Sequence, residues 1–191
     1  MSASSKIVSI SLVIALTLLY SVVEKKKIDA LEAEAARPIL RELPQFEAQD
    51  VYSNQDLNQA NLFEGQWKGG FVHFWGTWCA PCEAELPEFV DFAKEFEGQG
   101  VKFILLAVND ESLKVKNFLE KRLRDLPKNI VVAIDEDGSS LEKFGTVKVP
   151  ETYLFEAGTG KTLTKFIGPQ DWKLKGFIDR TQKLLSQEPS D

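Results

Sequence analysis

The sequence predicts an α/β sandwich, a mixed sheet with helices on both faces, and three observations predict it. Phe71 to Trp75, Val101 to Val108 and Ile130 to Ile134 are near-continuous apolar runs, the pattern of strands covered on both faces. Each is followed by a helical pattern. The order then changes to two short strands around Gly158-Thr159-Gly160, a hairpin signal, and a closing helix. Composition suits one such domain with an appendage. The 191 residues are 43% hydrophobic and 27% charged, and thirteen Phe with four Trp supply a core. A formal net charge of −6, with no long basic run in the soluble part, argues against nucleic acid as a partner.

Taken in order, residues 1–6 form a short N-terminal segment, and Ile7 to Val23 follow as 17 residues without a charge. As a helix of about 26 Å this run is near the lower limit for a hydrocarbon core of about 30 Å. A cleaved signal peptide and a helix buried in the domain are the alternatives. Glu24-Lys25-Lys26-Lys27 comes directly after the run, where a cleavage site would need small residues, so an uncleaved transmembrane signal anchor is expected. Lys25, Lys26 and Lys27 outnumber Lys6, and that charge bias taken alone would leave the domain in the cytoplasm. Residues 24–45, with Pro38 and Pro44, read as a stalk, residues 46–185 as the domain and residues 186–191 as a polar tail.

Inside the domain, Leu86, Phe89, Val90, Ala93 and Phe96 form a helical stripe ended by Gly98, and Val115, Phe118, Leu119 and Leu123 form a second. Ser139 and Glu142 have the spacing of a capping box for a short helix that Gly145 ends. Thr152 to Phe155 and Leu163 to Ile167 are the hairpin strands, and Leu174, Phe177, Ile178 and Leu184 share one face of the last helix.

The chemistry lies where the first apolar strand gives way to its helix, at Trp78-Cys79-Ala80-Pro81-Cys82. A spacing of two residues lets both sulfurs meet in the first helical turn, where unpaired N–H groups and the helix dipole favour a thiolate. Cys79, at the mouth, is the expected nucleophile; Cys82, one turn farther in, is the expected resolving thiol. A structural zinc site needs four ligands, and this chain has two Cys and one His. Covalent haem attachment needs His after the second Cys, where Glu83 stands. Two inert cysteines remain as the bland reading, opposed by the strand, the helix start and the enclosed proline. Neither a metal nor a cofactor is expected.

The run Phe74-Trp75-Gly76-Thr77-Trp78-Cys79-Ala80-Pro81-Cys82, followed by Glu85 and Pro87 and, farther on, by Val149-Pro150-Glu151-Thr152, resembles the thioredoxin superfamily. It is most similar to the membrane-anchored bacterial branch, the TlpA/ResA/DsbE (CcmG)-like thiol-disulfide oxidoreductases, over about Phe46 to Leu185. The resemblance implies a thioredoxin-like α/β/α sandwich, a Cys79–Cys82 dithiol/disulfide cycle, and a cis peptide bond before Pro150. It also implies that Val149 and Pro150 offer a backbone edge to a substrate strand beside Trp78, Ala80 and Pro81. Peroxiredoxins are set aside, because Cys79 lacks their Thr-x-x-Cys arrangement and upstream proline.

Three further residues are candidates near the site, the first two with two readings each. Glu85, three residues after Cys82 on the same helix face, is either a solvated first-turn acid or a carboxylate placed to shuttle the proton of the buried thiol; the resemblance implies the shuttle. His73 stands six residues before Cys79, where thioredoxins carry a buried acid. It is either a satisfied strand histidine or a proton relay. Glu111 resembles a second glutamate near the site of ResA-like proteins.

From Ala80 to Gly98 there are six acidic residues and one Lys, a field that should weaken thiolate stabilisation and favour a reductase over a DsbA-like oxidant. No other Cys exists to reload the site, so another protein must supply electrons. The resemblance implies a membrane donor of the DsbD/CcdA type, disulfide-bearing client proteins such as apocytochrome c, and a domain on the periplasmic or outer side of the bacterial cytoplasmic membrane. A general disulfide isomerase or oxidase, and a non-catalytic docking module, are the alternatives.

Overall fold

The computed structural model describes residues 13–26, 40–123 and 125–186. The chain divides into two compact units, Met1–Ile39 and Leu40–Asp191. In the first, residues 13–26 are helical, and large apolar side chains from Val13 to Val23 are exposed. Thr17 and Ser21 turn their hydroxyls back onto the carbonyls of Ile14 and Thr17. Among the described residues no helix is long and apolar enough to cross a membrane. Residues 7–12 of the expected span, like residues 1–6, 27–39 and 187–191, lie outside the described residues.

The second unit runs β1 (Glu47–Asp50), β2 (Asp56–Asn58), β3 (Gly69–Trp75), α1 (Ala80–Lys94), β4 (Val101–Val108), α2 (Ser112–Arg122), β5 (Ile130–Asp135), α3 (Ser139–Phe144), β6 (Glu151–Glu156), β7 (Thr162–Ile167) and α4 (Lys175–Ser186). These strands form one mixed sheet in the order β2-β1-β5-β4-β3-β6-β7. β3, β4 and β5 pair in parallel, and the remaining pairings are antiparallel. The α/β sandwich expected from the alternating pattern is present.

Strand periodicity sorts the apolar runs onto two faces. Phe71, Trp75, Phe103, Leu105 and Ala107 face a core shared with α1, α2 and α4, which contributes Phe89, Phe92, Val115 and Leu119. Val72, Phe74, Ile104, Leu106 and Val108 face a second core with Phe144 of α3 and with Leu43, Phe46 and Leu62. The first core is aromatic: Phe71 stacks on Phe103 at 4.8 Å, and Phe89 meets Trp172 edge-on at 4.9 Å.

Three local expectations change. Residues 40–45, read above as the end of the stalk, belong to the domain unit: Leu43 is buried, its N–H donates to the Gly160 carbonyl, and the Thr162 N–H donates to Arg41. The Ser139/Glu142 capping box does not form. Gly138 is the N-cap, Asp135 accepts from the Ser140 N–H and hydroxyl, and Asp137 accepts from the Ser139 N–H, so upstream aspartates do the capping. Leu174 lies before α4 and is exposed, leaving Phe177, Ile178 and Leu184 to pack. Pro87 sits inside α1, within the helical stripe, and deprives the Glu83 carbonyl of its intrahelical donor. Gly145 does end α3, at φ 66°.

Candidate active site

Parallel β3 and β4 end together, and antiparallel β6 begins where β3 ends, with Phe74 opposite Glu151. That register brings the turn at Gly76 to Cys82, Asp110 and the Val149-Pro150 bond to one edge of the sheet. The Val149-Pro150 bond is cis. A Cβ on Gly76 would meet the Trp78 Nε1 at 2.5 Å, so any larger residue there would displace the indole. Trp78 folds over it, half exposed, and donates its indole N–H to the Val108 carbonyl at 3.1 Å.

Cys79 caps α1, and its sulfur accepts from the Cys82 N–H at 3.2 Å, in the first-turn geometry that stabilises a thiolate. The two sulfurs are joined as a disulfide. Cys79 keeps 5% of its surface and Cys82 none. Ala80 and Pro81 are exposed beside the Cys79 sulfur. Val149 is half-buried and Pro150 buried, its carbonyl accepting from the Gly168 N–H.

Beneath the disulfide lie His73 and Glu85. His73 projects from β3 toward α1, fully buried, its ring stacked 4.4 Å from Phe89 and its Nδ1 2.8 Å from the Thr152 Oγ1. Glu85, 5% exposed, accepts from the Gln170 N–H through Oε2 at 2.8 Å, while Oε1 lies 3.5 Å from the His73 Nε2. Burial pushes the carboxyl up to about 7, against the Gln170 hydrogen bond and the nearby Trp172 indole, which biases it without a well-formed hydrogen bond. Burial pulls His73 down to about 3. Glu85 is therefore no solvated first-turn acid.

Glu111 stands exposed at the N-cap of α2, lining an open groove with Thr77, Leu113 and Phe118. The acid that grips the active-site turn is its neighbour Asp110, whose buried carboxylate accepts from the Thr77 and Glu111 N–H groups and pairs with Lys114. Sequence reasoning missed Asp110, although an Asp closing a strand just before a helix was a usable signal. Gln170 and Trp172 gave none. The acid-rich face of α1 is also partly neutralised, since Glu83 pairs with Arg122 and Glu88 with Lys173.

A nearly buried cysteine at a helix start, joined to a fully sealed one and accompanied by a cis-proline just before the neighbouring strand, defines the class of thioredoxin-fold proteins that exchange thiols and disulfides. Comparison with known proteins narrows the class. The AhpC/TSA family matches residues 39–167. The thiol-disulfide oxidoreductase ResA of Bacillus thuringiensis subsp. konkukian is 31% identical over 137 residues, 72% of this chain and 74% of that one. A Chlorobium tepidum structure described as a DsbE thiol:disulfide interchange protein superposes with a TM-score of 0.63 at 15% identity, covering 78% of this chain and 99% of that one. A thioredoxin-family thiol:disulfide interchange protein of Chlorobium tepidum TLS gives 0.57 at 25% identity, covering 78% and 98%. The chain belongs to the AhpC/TSA family and is a thiol-disulfide oxidoreductase of the ResA type.

Proposed function

We propose that this enzyme reduces protein disulfides outside the cytoplasm, held to the bacterial membrane by a helix over residues 7–23, with apocytochrome c among its clients. The observation that carries the reading is the unequal access of the two sulfurs: Cys79 at an exposed rim of Trp78, Ala80 and Pro81, and Cys82 sealed beside Glu85. In the dithiol state the Cys79 thiolate, favoured by the N–H groups of the first turn of α1, attacks one client sulfur and expels the other as a thiolate. Glu85 takes the proton of Cys82. The Cys82 thiolate then attacks the Cys79 sulfur, forming the enzyme disulfide and releasing the second client thiolate, so two electrons pass to the client. A membrane dithiol protein of the DsbD/CcdA type returns them. A pKa near 7 lets Glu85 both accept and donate in that cycle. Val149 and Pro150 supply the backbone edge for a client strand, and Glu111 lines the groove on the other side of Thr77.

The anchoring half of the reading is supported by the uncharged run, by the exposed apolar side chains of residues 13–23, and by the Thr17 and Ser21 hydroxyls being satisfied within the helix. The three lysines after it oppose the outward orientation, a bias that long translocated domains can override.

Cysteine exchange tests the assignment of roles. Cys82→Ser should leave the first attack intact and block release, so mixed disulfides with clients accumulate, whereas Cys79→Ser should trap little. Interchanged phenotypes would reverse the roles, and no trapped species together with failure to reduce insulin would mark a docking module instead.

A further inference from the structure

His73 Nε2 and Glu85 Oε1 are both buried and face each other at 3.5 Å, and neither has a hydrogen-bond partner elsewhere. Each side chain is fixed at its other end. The Thr152 hydroxyl lies 2.8 Å from His73 Nδ1, and the Gln170 N–H donates to Glu85 Oε2 at 2.8 Å. Three distant parts of the chain, β3, α1 and the segment after β7, thus aim two orphaned polar atoms at one another directly behind the cysteine-bearing turn. Two lone pairs repel at such a gap, and two protons would clash. One proton completes it.

We infer that His73 is a positioning residue that holds the proton of Glu85, its Nε2 accepting from the Glu85 Oε1 hydroxyl while its Nδ1–H donates to Thr152. The same proton count could be arranged as a carboxylate facing an imidazolium, and burial decides between the two. His73 has no exposed surface, and the buried environment disfavours both charges. The charged groups around Glu85 do not change that choice. Glu88 of α1 repels a carboxylate and is itself paired with Lys173 at 2.9 Å, Cys82 is neutral in the disulfide, Thr152 of β6 is uncharged, and Gln170 and Trp172 offer only N–H dipoles.

The inference rests on Glu85 as the proton carrier for Cys82 and supplies what such a carrier needs, a fixed acceptor that keeps it loaded. When a donor thiolate attacks the Cys79 sulfur and breaks the disulfide, the Cys82 thiolate leaves and takes the Glu85 proton. The carboxylate then faces the Nε2 lone pair, an arrangement that draws a proton back. His73 thereby sets the acidity of Glu85 without touching substrate.

The chain has a single histidine, so its ring nitrogens can be followed without assignment. In the ¹⁵N-labelled, oxidised full-length protein, the ring should be the neutral Nδ1–H tautomer at pH 5 to 6, with Nε2 shifted as a hydrogen-bond acceptor. The Nε2–H tautomer or an imidazolium in that range would overturn the inference. Glu85→Gln should preserve the tautomer, because an amide N–H can replace the acid proton. In His73→Asn, whose amide can donate to a carboxylate, the ¹³C-detected titration of Glu85 should move down by at least one pH unit. An unmoved or raised midpoint would refute the coupling. These readouts do not depend on turnover, whereas the shuttle itself is tested by a slowed insulin reduction and an altered pH–rate profile in Glu85→Gln. Failure of either can therefore be told from failure of the other.

Discussion

Glu85 is raised by burial from 4.5 to about 7, so between those values the folded chain holds a proton that the unfolded chain releases. Stability contributed by this group is fully present below about pH 4.5 and is lost as pH rises toward 7. His73 acts in the opposite sense. Lowered from 6.5 to about 3, it stays neutral when folded and charges when unfolded, so its contribution is present above pH 6.5 and is lost as pH falls toward 3. Between pH 4.5 and 6.5 the two slopes oppose each other, each about 1.4 kcal/mol per pH unit. Glu85→Gln removes the falling slope alone. Urea unfolding at a series of pH values should then show stability rising across that window by about 1.4 kcal/mol per unit relative to the unmodified protein; parallel curves would reject the opposition. Asp110 acts through neutral N–H groups instead. Asp110→Ala strands the buried-side N–H of Thr77 and should cost about 1–3 kcal/mol, measured by the same unfolding, while slowing insulin reduction because the turn before Cys79 loosens.

At the scale of elements, α1 carries the site on one end and the aromatic core on its flank. Phe89 stacks on His73 and touches Phe71, Phe103 and Trp172, tying the helix to two strands and to the segment that brings Gln170. Phe89→Ala should therefore cost about 3–5 kcal/mol by chemical denaturation. It should also loosen the His73 ring, which a ΔΔG below about 1 kcal/mol would contradict. The buried elements were legible: β3, β4 and β5 follow apolar runs, and the stripe from Leu86 to Phe96 is buried throughout. β1 and β2 were not, since Glu47–Asp50 and Asp56–Asn58 are short, charged and partly exposed, and only the pairing of β1 to β5 and of β2 to β1 makes them strands. The capping of α3 escaped for a related reason. Local spacing nominated Ser139 and Glu142, but Asp137 took the Ser139 N–H and Asp135, brought within reach by the end of β5, took the Ser140 N–H.

For the molecule as a whole, the two sulfurs and their order of access could be read from spacing, a strand and a helix start. Their setting could not, because Asp110, Thr152 and Gln170 reach the site only through the sheet order and the closing loop. Membrane topology belongs to this scale too. With alkaline phosphatase fused after Leu185, the outward orientation predicts an active fusion in intact bacteria; an inactive one, with a cytoplasmic reporter active at the same junction, would place the domain inside, as Lys25 to Lys27 by themselves suggest.

The hydrogen bond from Gln170 to Glu85 spans 85 residues of chain. A polypeptide made from its N-terminus presents Cys79 and Cys82 long before the segment that fixes Glu85 exists. Until the last strand and loop arrive, Glu85 lacks the Gln170 N–H that fixes it, and the division of labour between the two thiols is incomplete. The enzyme's selectivity is thus a property acquired at the end of folding, and a nascent or C-terminally clipped chain would be a less selective thiol.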